Sequence, residues 1–241
     1  MRKITSRPFL VIITILILFM AGCGKPAVHK ATVTKNIDNA QVLTTPSVST
    51  AETWESGKLI MHYIDVGQGD AELLQLPNGQ IMLIDAGTNE AGPSVVAYLN
   101  SLGIKRIDYL IATHPHEDHI GGMDNVIRSF EIVNIYMPRV TTTTRSFEDV
   151  LNVVKSKGLK IISGKADMSI LDKDGLKISF IAPCETSYED LNNWSIVSRV
   201  QFGYNSFLFT GDAEEQSESE MQRSGANLQA DVQRELVRRN P

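Results

Sequence analysis

The sequence predicts an α/β protein in which sheets are covered by helices, and three observations lead there. From Lys58 onward, short runs rich in Ile, Val, Leu, Tyr and Phe alternate with turn signals. Four segments of helical character are interleaved with the middle and later runs rather than gathered at one end, which excludes an all-β sandwich. A histidine-rich loop follows directly on one apolar run, and the carboxyl end of a strand is where α/β proteins build their sites.

Strands are expected at residues 59–66, 71–76, 80–85, 109–113, 132–137, 160–163, 176–182, 195–202 and 206–210, each a β-branched or aromatic run. Pro77-Asn78-Gly79, Asp172-Lys173-Asp174-Gly175 and Gly203-Tyr204-Asn205 supply the connecting turns, with residues that tolerate positive φ. Helices are expected at 93–102, where Pro93 takes a first-turn position, and at 120–130, 147–157 and 213–223. No internal repeat is visible.

The chain has 241 residues, 42% apolar and 21% charged, enough for one substantial core plus appendages. Its net charge of −5 and pI near 5.6 exclude the broad positive field that drives sequence-independent binding to nucleic acid. A nucleic-acid substrate would have to be held by local charges or by metal.

Arg2, Lys3 and Arg7 precede an apolar run over 9–20, followed by Ala21, Gly22 and Cys23. A basic segment, a short apolar segment and small residues make a secretory signal. The alternative is a membrane-spanning anchor, which takes about 20 apolar residues. Met20-Ala21-Gly22-Cys23 resembles a bacterial lipobox, which implies a signal peptide over 1–22, lipidation of Cys23 and an extracytoplasmic protein anchored to the cell membrane. Residues 23–56, rich in Thr, Ser, Val, Ala and Lys without periodicity, are read as a flexible tether, and 57–232 as the folded domain. Cys184, the only other cysteine, is expected to be a packed, inert thiol.

Three of the five histidines fall in His114-Pro115-His116-Glu117-Asp118-His119, after the apolar strand and before Ile120-Gly121-Gly122. Imidazole and carboxylate are ligands for Zn2+ and similar borderline metals, and a compact loop can aim several at one point. The bland alternative is a solvated polar loop, and Glu117 reads as charged filler. Asp212 comes just after a strand and Asp85 stands at the end of one. Asp212 alone could be a helix cap, and Asp65 and Asp70, flanking Gly-Gln-Gly, could be turn residues.

The HxHxDH string, with Ile84-Asp85-Ala86-Gly87 before it, resembles the metallo-β-lactamase superfamily. The opening Asp65-Val66-Gly67-Gln68-Gly69-Asp70 narrows the resemblance to the ComEC branch of DNA-uptake proteins and their secreted or lipid-anchored relatives. Asn192-Asn193-Trp194-Ser195, two strands and Thr210-Gly211-Asp212 continue the pattern, which covers roughly residues 58–232. The resemblance implies an αββα sandwich and two divalent ions, Zn2+ or alternatively Mn2+. His114 and His116 would bind one, Asp118 and His119 the other, and Asp212 would bridge them. Asp85, and with it Asp70, would support the ligands from behind. Asn193 and Ser195 would lie where other branches supply a ligand or substrate contact.

After Val232 the chain reads Gln233-Arg234-Glu235-Leu236-Val237-Arg238-Arg239-Asn240-Pro241, where the family pattern continues into a strand and a GHHGS-type motif. The expectation is a divergent tail over 233–241, a fold incomplete at its C-terminus with an exposed edge strand, a weakened second metal site, and a truncated or frame-shifted product of a longer gene. The chemistry implied is metal-assisted hydrolysis with Asp118 orienting the nucleophile, on a phosphodiester in DNA or a surface polymer. A phosphorylcholine esterase, using aromatic residues such as Trp54 or Trp194 around a quaternary ammonium, is a second enzymatic reading. An inactive lipid-anchored binding module is the non-enzymatic one.

Overall fold

The computed structural model describes residues 29–32 and 57–234 of the chain. Cys23 and the signal segment, Trp54, most of the stretch read as a tether, and residues 235–241 lie outside the described residues. Among the described residues no helix is long and apolar enough to cross a membrane.

Alternation along the strands sorts side chains into layers. The first sheet runs, in spatial order, β1 (His29–Thr32), β2 (Ile60–Tyr63), β3 (Glu72–Gln75), β4 (Ile81–Ile84), β5 (Arg106–Ile111), β6 (Glu131–Met137) and β7 (Ile161–Ser163). On β3 and β4, Leu73 and Leu83 point to one face, where they pack with Val95, Leu99, Val126, Val150 and Val153. Those partners belong to α1 (Gly92–Ser101), α3 (Met123–Ser129) and α4 (Arg145–Ser156). Leu74, Met82 and Ile84 point the other way and pack with Ile178, Phe180, Val200, Phe207 and Phe209.

These last residues belong to the second sheet, ordered β8 (Met168–Lys173), β9 (Leu176–Ala182), β10 (Val197–Phe202), β11 (Asn205–Phe209) and β12 (Val232–Arg234), with β8 and β12 at the edges. The Phe180 ring, fully buried, meets Tyr136 of β6 edge to face at 5.3 Å and locks the two sheets together. On the outer face of the second sheet, Ala182, Val197 and Leu208 cover Met221 of α5 (Glu215–Ser224). The result is the four-layer αββα arrangement that the resemblance implied.

Register brings the site residues to one rim. β4, β5, β6 and β7 pair in parallel, so the helices between them act as crossovers and the strands' carboxyl ends share one edge. Asp85 follows β4 and Thr113-His114 follow β5 at that edge. In the second sheet the antiparallel β10–β11 pair places Ser195 before one strand and Asp212 after the other at a common end. The Ile196 N–H donates to the Thr113 carbonyl at 2.9 Å and joins the two ends.

Four details correct the sequence reading. Residues 29–32, within the stretch read as a tether, add β1 antiparallel to β2 and give the backbone groups of that edge partners. β8 was not expected; it is an edge strand in a β-hairpin with β9. The helix expected at 120–130 is two, α2 (Glu117–Ile120) and α3, interrupted at Gly121-Gly122. The edge expected to lie bare beside β11 is paired in parallel by β12, so the divergent tail contributes Gln233 and Arg234 to a strand. Asp231 docks that segment: its carboxylate accepts the Ser206 N–H at 2.7 Å, and its own N–H donates back to the Ser206 carbonyl at 2.9 Å.

Candidate metal centre

Asp85 is the buried pivot of the rim. It sits with φ at +55°, a left-handed conformation that Asp tolerates better than most residues. One carboxylate oxygen accepts the Thr113 N–H at 2.8 Å; the other meets the Thr113 hydroxyl at 2.6 Å and His119 Nδ1 at 2.8 Å. With Nδ1 committed to Asp85, His119 Nε2 faces the centre of the rim.

Asp212 completes the group. Its Oδ1 lies 3.1 Å from His119 Nε2 and its Oδ2 3.9 Å from His114 Nε2. His114, His119 and Asp212 each offer a donor atom within 4.8 Å of the others. His116 joins through His114, its Nδ1 2.9 Å from His114 Nε2. Asp118 lies outside the three-residue group; its carboxylate is reached by the Gln68 amide at 3.5 Å.

The donor set fits a cation, and an observation of this site supports the fit. His119 Nε2 and Asp212 Oδ1 are buried atoms without a hydrogen-bond partner, close to each other but not aligned to bond. Polar atoms buried in that state cost stability unless something satisfies them, and a divalent ion bound by both would do so. The two histidines sit in opposite fields. Burial, reinforced by His119 and His116, depresses His114 to about 2, keeping its imidazole neutral as a ligand must be. Burial opposes charge on His119 too, but Asp85 and then Asp212 outweigh it and push the ring up to about 11, so a metal must displace a proton there.

Ser195 and Asn193 take supporting roles. The Ser195 hydroxyl accepts the Asp212 N–H at 3.2 Å and lies 3.3 Å from His114 Nδ1, linking two members of the cluster. Thr113 Oγ1, 3.1 Å from the same Nδ1, carries Asp85's influence to His114. The Asn193 carbonyl oxygen accepts the N–H groups of Glu214 and Ser217, at 3.2 and 3.1 Å, and thereby caps α5. The sequence reading missed Thr113, whose signal was its place directly before the first histidine, and read Asn193 as a ligand or substrate contact.

Other residues singled out in the sequence anchor loops. Glu117 accepts from the Asn89 backbone at 2.7 Å and side chain at 2.9 Å. Asp65 accepts the Gly67 N–H at 3.1 Å, an Asx turn. Asp70 is buried, with its backbone N–H on the Asp118 carbonyl and its carbonyl accepting the Gly87 N–H. Trp194 is buried against Tyr188, rings 5.2 Å apart, and its indole N–H donates to the Tyr188 carbonyl, so it belongs to the packing beneath the rim. Cys184 is half-buried and burial raises its pKa, in keeping with an unreactive thiol.

The family model described as Metallo-beta-lactamase superfamily matches residues 64–238, and the chain belongs to that superfamily. Its relatives include the ComE operon protein 3 of Bacillus subtilis, 27% identical over 186 residues, which are 70% of this chain and 24% of that protein. Another is the recombination protein 2 of Haemophilus influenzae, 28% identical over 171 residues, 69% of this chain and 19% of that protein. The chain thus spans about a fifth to a quarter of the length of these relatives. Among solved structures, a metallo-β-lactamase with a HARLDQ motif from Cronobacter sakazakii aligns with a TM-score of 0.45 at 13% identity, covering 68% of each chain.

Proposed function

We propose that this protein is a metal-dependent phosphodiesterase acting on DNA, of the ComEC competence type. The observation that carries the metal-dependent part is the pair of buried, unpartnered donors, His119 Nε2 and Asp212 Oδ1, in a cluster with His114. The phosphodiester part rests on the DVGQGD resemblance and on relatives named for the ComE operon and for recombination. Because the chain carries a net charge of −5, affinity for a polyanion has to be concentrated at the rim.

His114 and His116 would hold one ion, Asp118 and His119 a second, with Asp212 shared. Bound there, divalent cations supply positive charge to a phosphoryl oxygen and lower the pKa of a water from 15.7 to about 7. The protein's own groups do the rest. Asp85 fixes the His119 tautomer, with Nδ1 as donor, and through Thr113 orients His114. Ser195 holds the Asp212 backbone in place. Asp118, at the start of α2, would orient the attacking water and take its proton as the oxygen bonds to phosphorus, while the bond to the sugar oxygen breaks and that oxygen leaves with a proton from solvent.

The test is turnover of a generic phosphodiester and of single- and double-stranded DNA by the purified chain with added Zn2+ or Mn2+, beside His114→Ala. Cleavage that requires metal and vanishes in the variant is expected. Cleavage unaffected by His114→Ala would place the activity elsewhere. Metal binding without turnover of any phosphodiester would leave a metal-binding surface module as the better reading.

A further inference from the structure

The Asp65-Val66-Gly67-Gln68-Gly69-Asp70 loop lies behind the metal-binding loop, and its contacts converge on one residue. The Asp70 N–H donates to the Asp118 carbonyl at 3.2 Å. Gly69, with φ at +95°, passes so close that any Cβ there would overlap the Asp118 carbonyl oxygen and come within 2.9 Å of the Asp118 Cβ. The Gln68 amide reaches Asp118 Oδ2 at 3.5 Å. The loop is itself fixed: Asp65 closes its turn on Gly67, and the Gly87 N–H donates to the Asp70 carbonyl at 2.8 Å. On the other side of the same short segment, the Ala86 N–H holds the His119 carbonyl at 2.8 Å.

We infer that this loop is the seat of Asp118, and that Gln68 is a positioning residue that aims the Asp118 carboxylate. The inference rests on the reading of Asp118 as a metal ligand and deepens it. A neutral amide suits the task. It gives a hydrogen bond to one carboxylate oxygen and leaves the negative charge for a cation, whereas Lys or Arg at the same place would compete with the cation by its own charge. The contact is long and exposed, so its worth to folding is small. Its consequence is directional, because a ligand's orienting partner commonly sets metal affinity by a factor of about 10–100. Gly69 has a separate necessity, since a methyl group there would push on the main chain of Asp118 itself.

The test is Zn2+ titration calorimetry on the full chain, with Co2+ absorption as a second readout, for Gln68→Leu, Gly69→Ala, Asp118→Asn and the Gln68→Leu/Asp118→Asn pair. Thermal melting of the metal-free variants checks folding, and the surface substitution Gln68→Leu keeps the test decisive should Gly69→Ala fail to fold. We expect Gln68→Leu to weaken Zn2+ binding about tenfold in the wild-type background and less than about twofold once Asp118 is Asn. Equal losses in both backgrounds, or no loss in the wild type while Asp118→Asn is impaired, would overturn the role of Gln68. Unchanged Zn2+ binding in Asp118→Asn would overturn the ligand reading and the seat with it.

Discussion

The Asp85 carboxylate stands 2.8 Å from Nδ1 of His119 and also meets the hydroxyl of Thr113, which in turn lies 3.1 Å from Nδ1 of His114. One buried acid therefore orients two rings of the donor cluster. Asp85→Asn keeps the size and the tolerance of positive φ but replaces one acceptor oxygen by a donor. We expect Zn2+ affinity to fall by about 10–100-fold with the fold retained, measured by calorimetry and circular dichroism. Unchanged affinity would mean that Asp85 serves the backbone alone.

Asn193 caps α5 from a distant part of the chain, which separates its role from ligation. Loss of such a cap costs about 1 kcal/mol, or about 3 °C in Tm for a domain of this size. Asn193→Ala should show that loss, and Asn193→Asp, which keeps the acceptor, should recover most of it. Metal affinity should change little in Asn193→Asp. A large affinity loss in that variant would restore Asn193 to the metal site.

The layer architecture was legible because β4 and most of β11 are short apolar runs buried on both faces, β9 alternates, and the turns beside them carry Gly, Asn and Asp. β8 escaped because an edge strand buries little: Met168, Ile170 and Leu171 are only half-buried and the rest face water, so no period stands out. Of the continuous helix expected at 120–130, α3 supplies only Met123–Ser129, after Gly121 and Gly122. A Cβ on Gly122 would come within 2.8 Å of Gly92 Cα, so the glycines admit α1 to a close approach that sequence periodicity does not encode. At the site, the histidine string announced itself by residue type, whereas Asp212 entered only through the family resemblance, and the structure brings His114, His119 and Asp212 together. The division of labour between Asn193 and Ser195, two residues apart, was hidden because it depends on where α5 lands.

Metal removal should be felt by the fold. His119 Nε2 and Asp212 Oδ1 are buried and face each other at 3.1 Å without an aligned hydrogen bond, so an ion bound by both would satisfy them better than they satisfy each other. A ligand bound only by the native state adds about 2.7 kcal/mol at a hundred times its Kd. We expect Zn2+ added back after chelation to raise Tm in a concentration-dependent way, and His119→Ala to abolish the rise. An identical rise in His119→Ala would locate the stabilising ion elsewhere.

The pH dependence of the metal-free protein follows from the opposed histidines. His119 titrates near 11 in the fold against an ordinary 6.5, so the folded state holds the extra proton between those values. Its contribution is complete below about pH 6.5 and is lost as pH rises toward 11. His114, depressed to about 2, gives the opposite slope: the unfolded chain binds the extra proton, and stability falls as pH drops from 6.5 toward 2. For these two groups the chelated protein should therefore melt highest near pH 6.5. His119→Gln should flatten the alkaline limb and His114→Gln the acid limb. Zn2+ affinity should rise with pH through the neutral range, since binding expels the His119 proton, and calorimetry in buffers of different ionisation enthalpy counts that proton directly. A proton count of zero at pH 7.5 would show that His119 is already neutral in the metal-free rim and that Asp85 does not hold it charged.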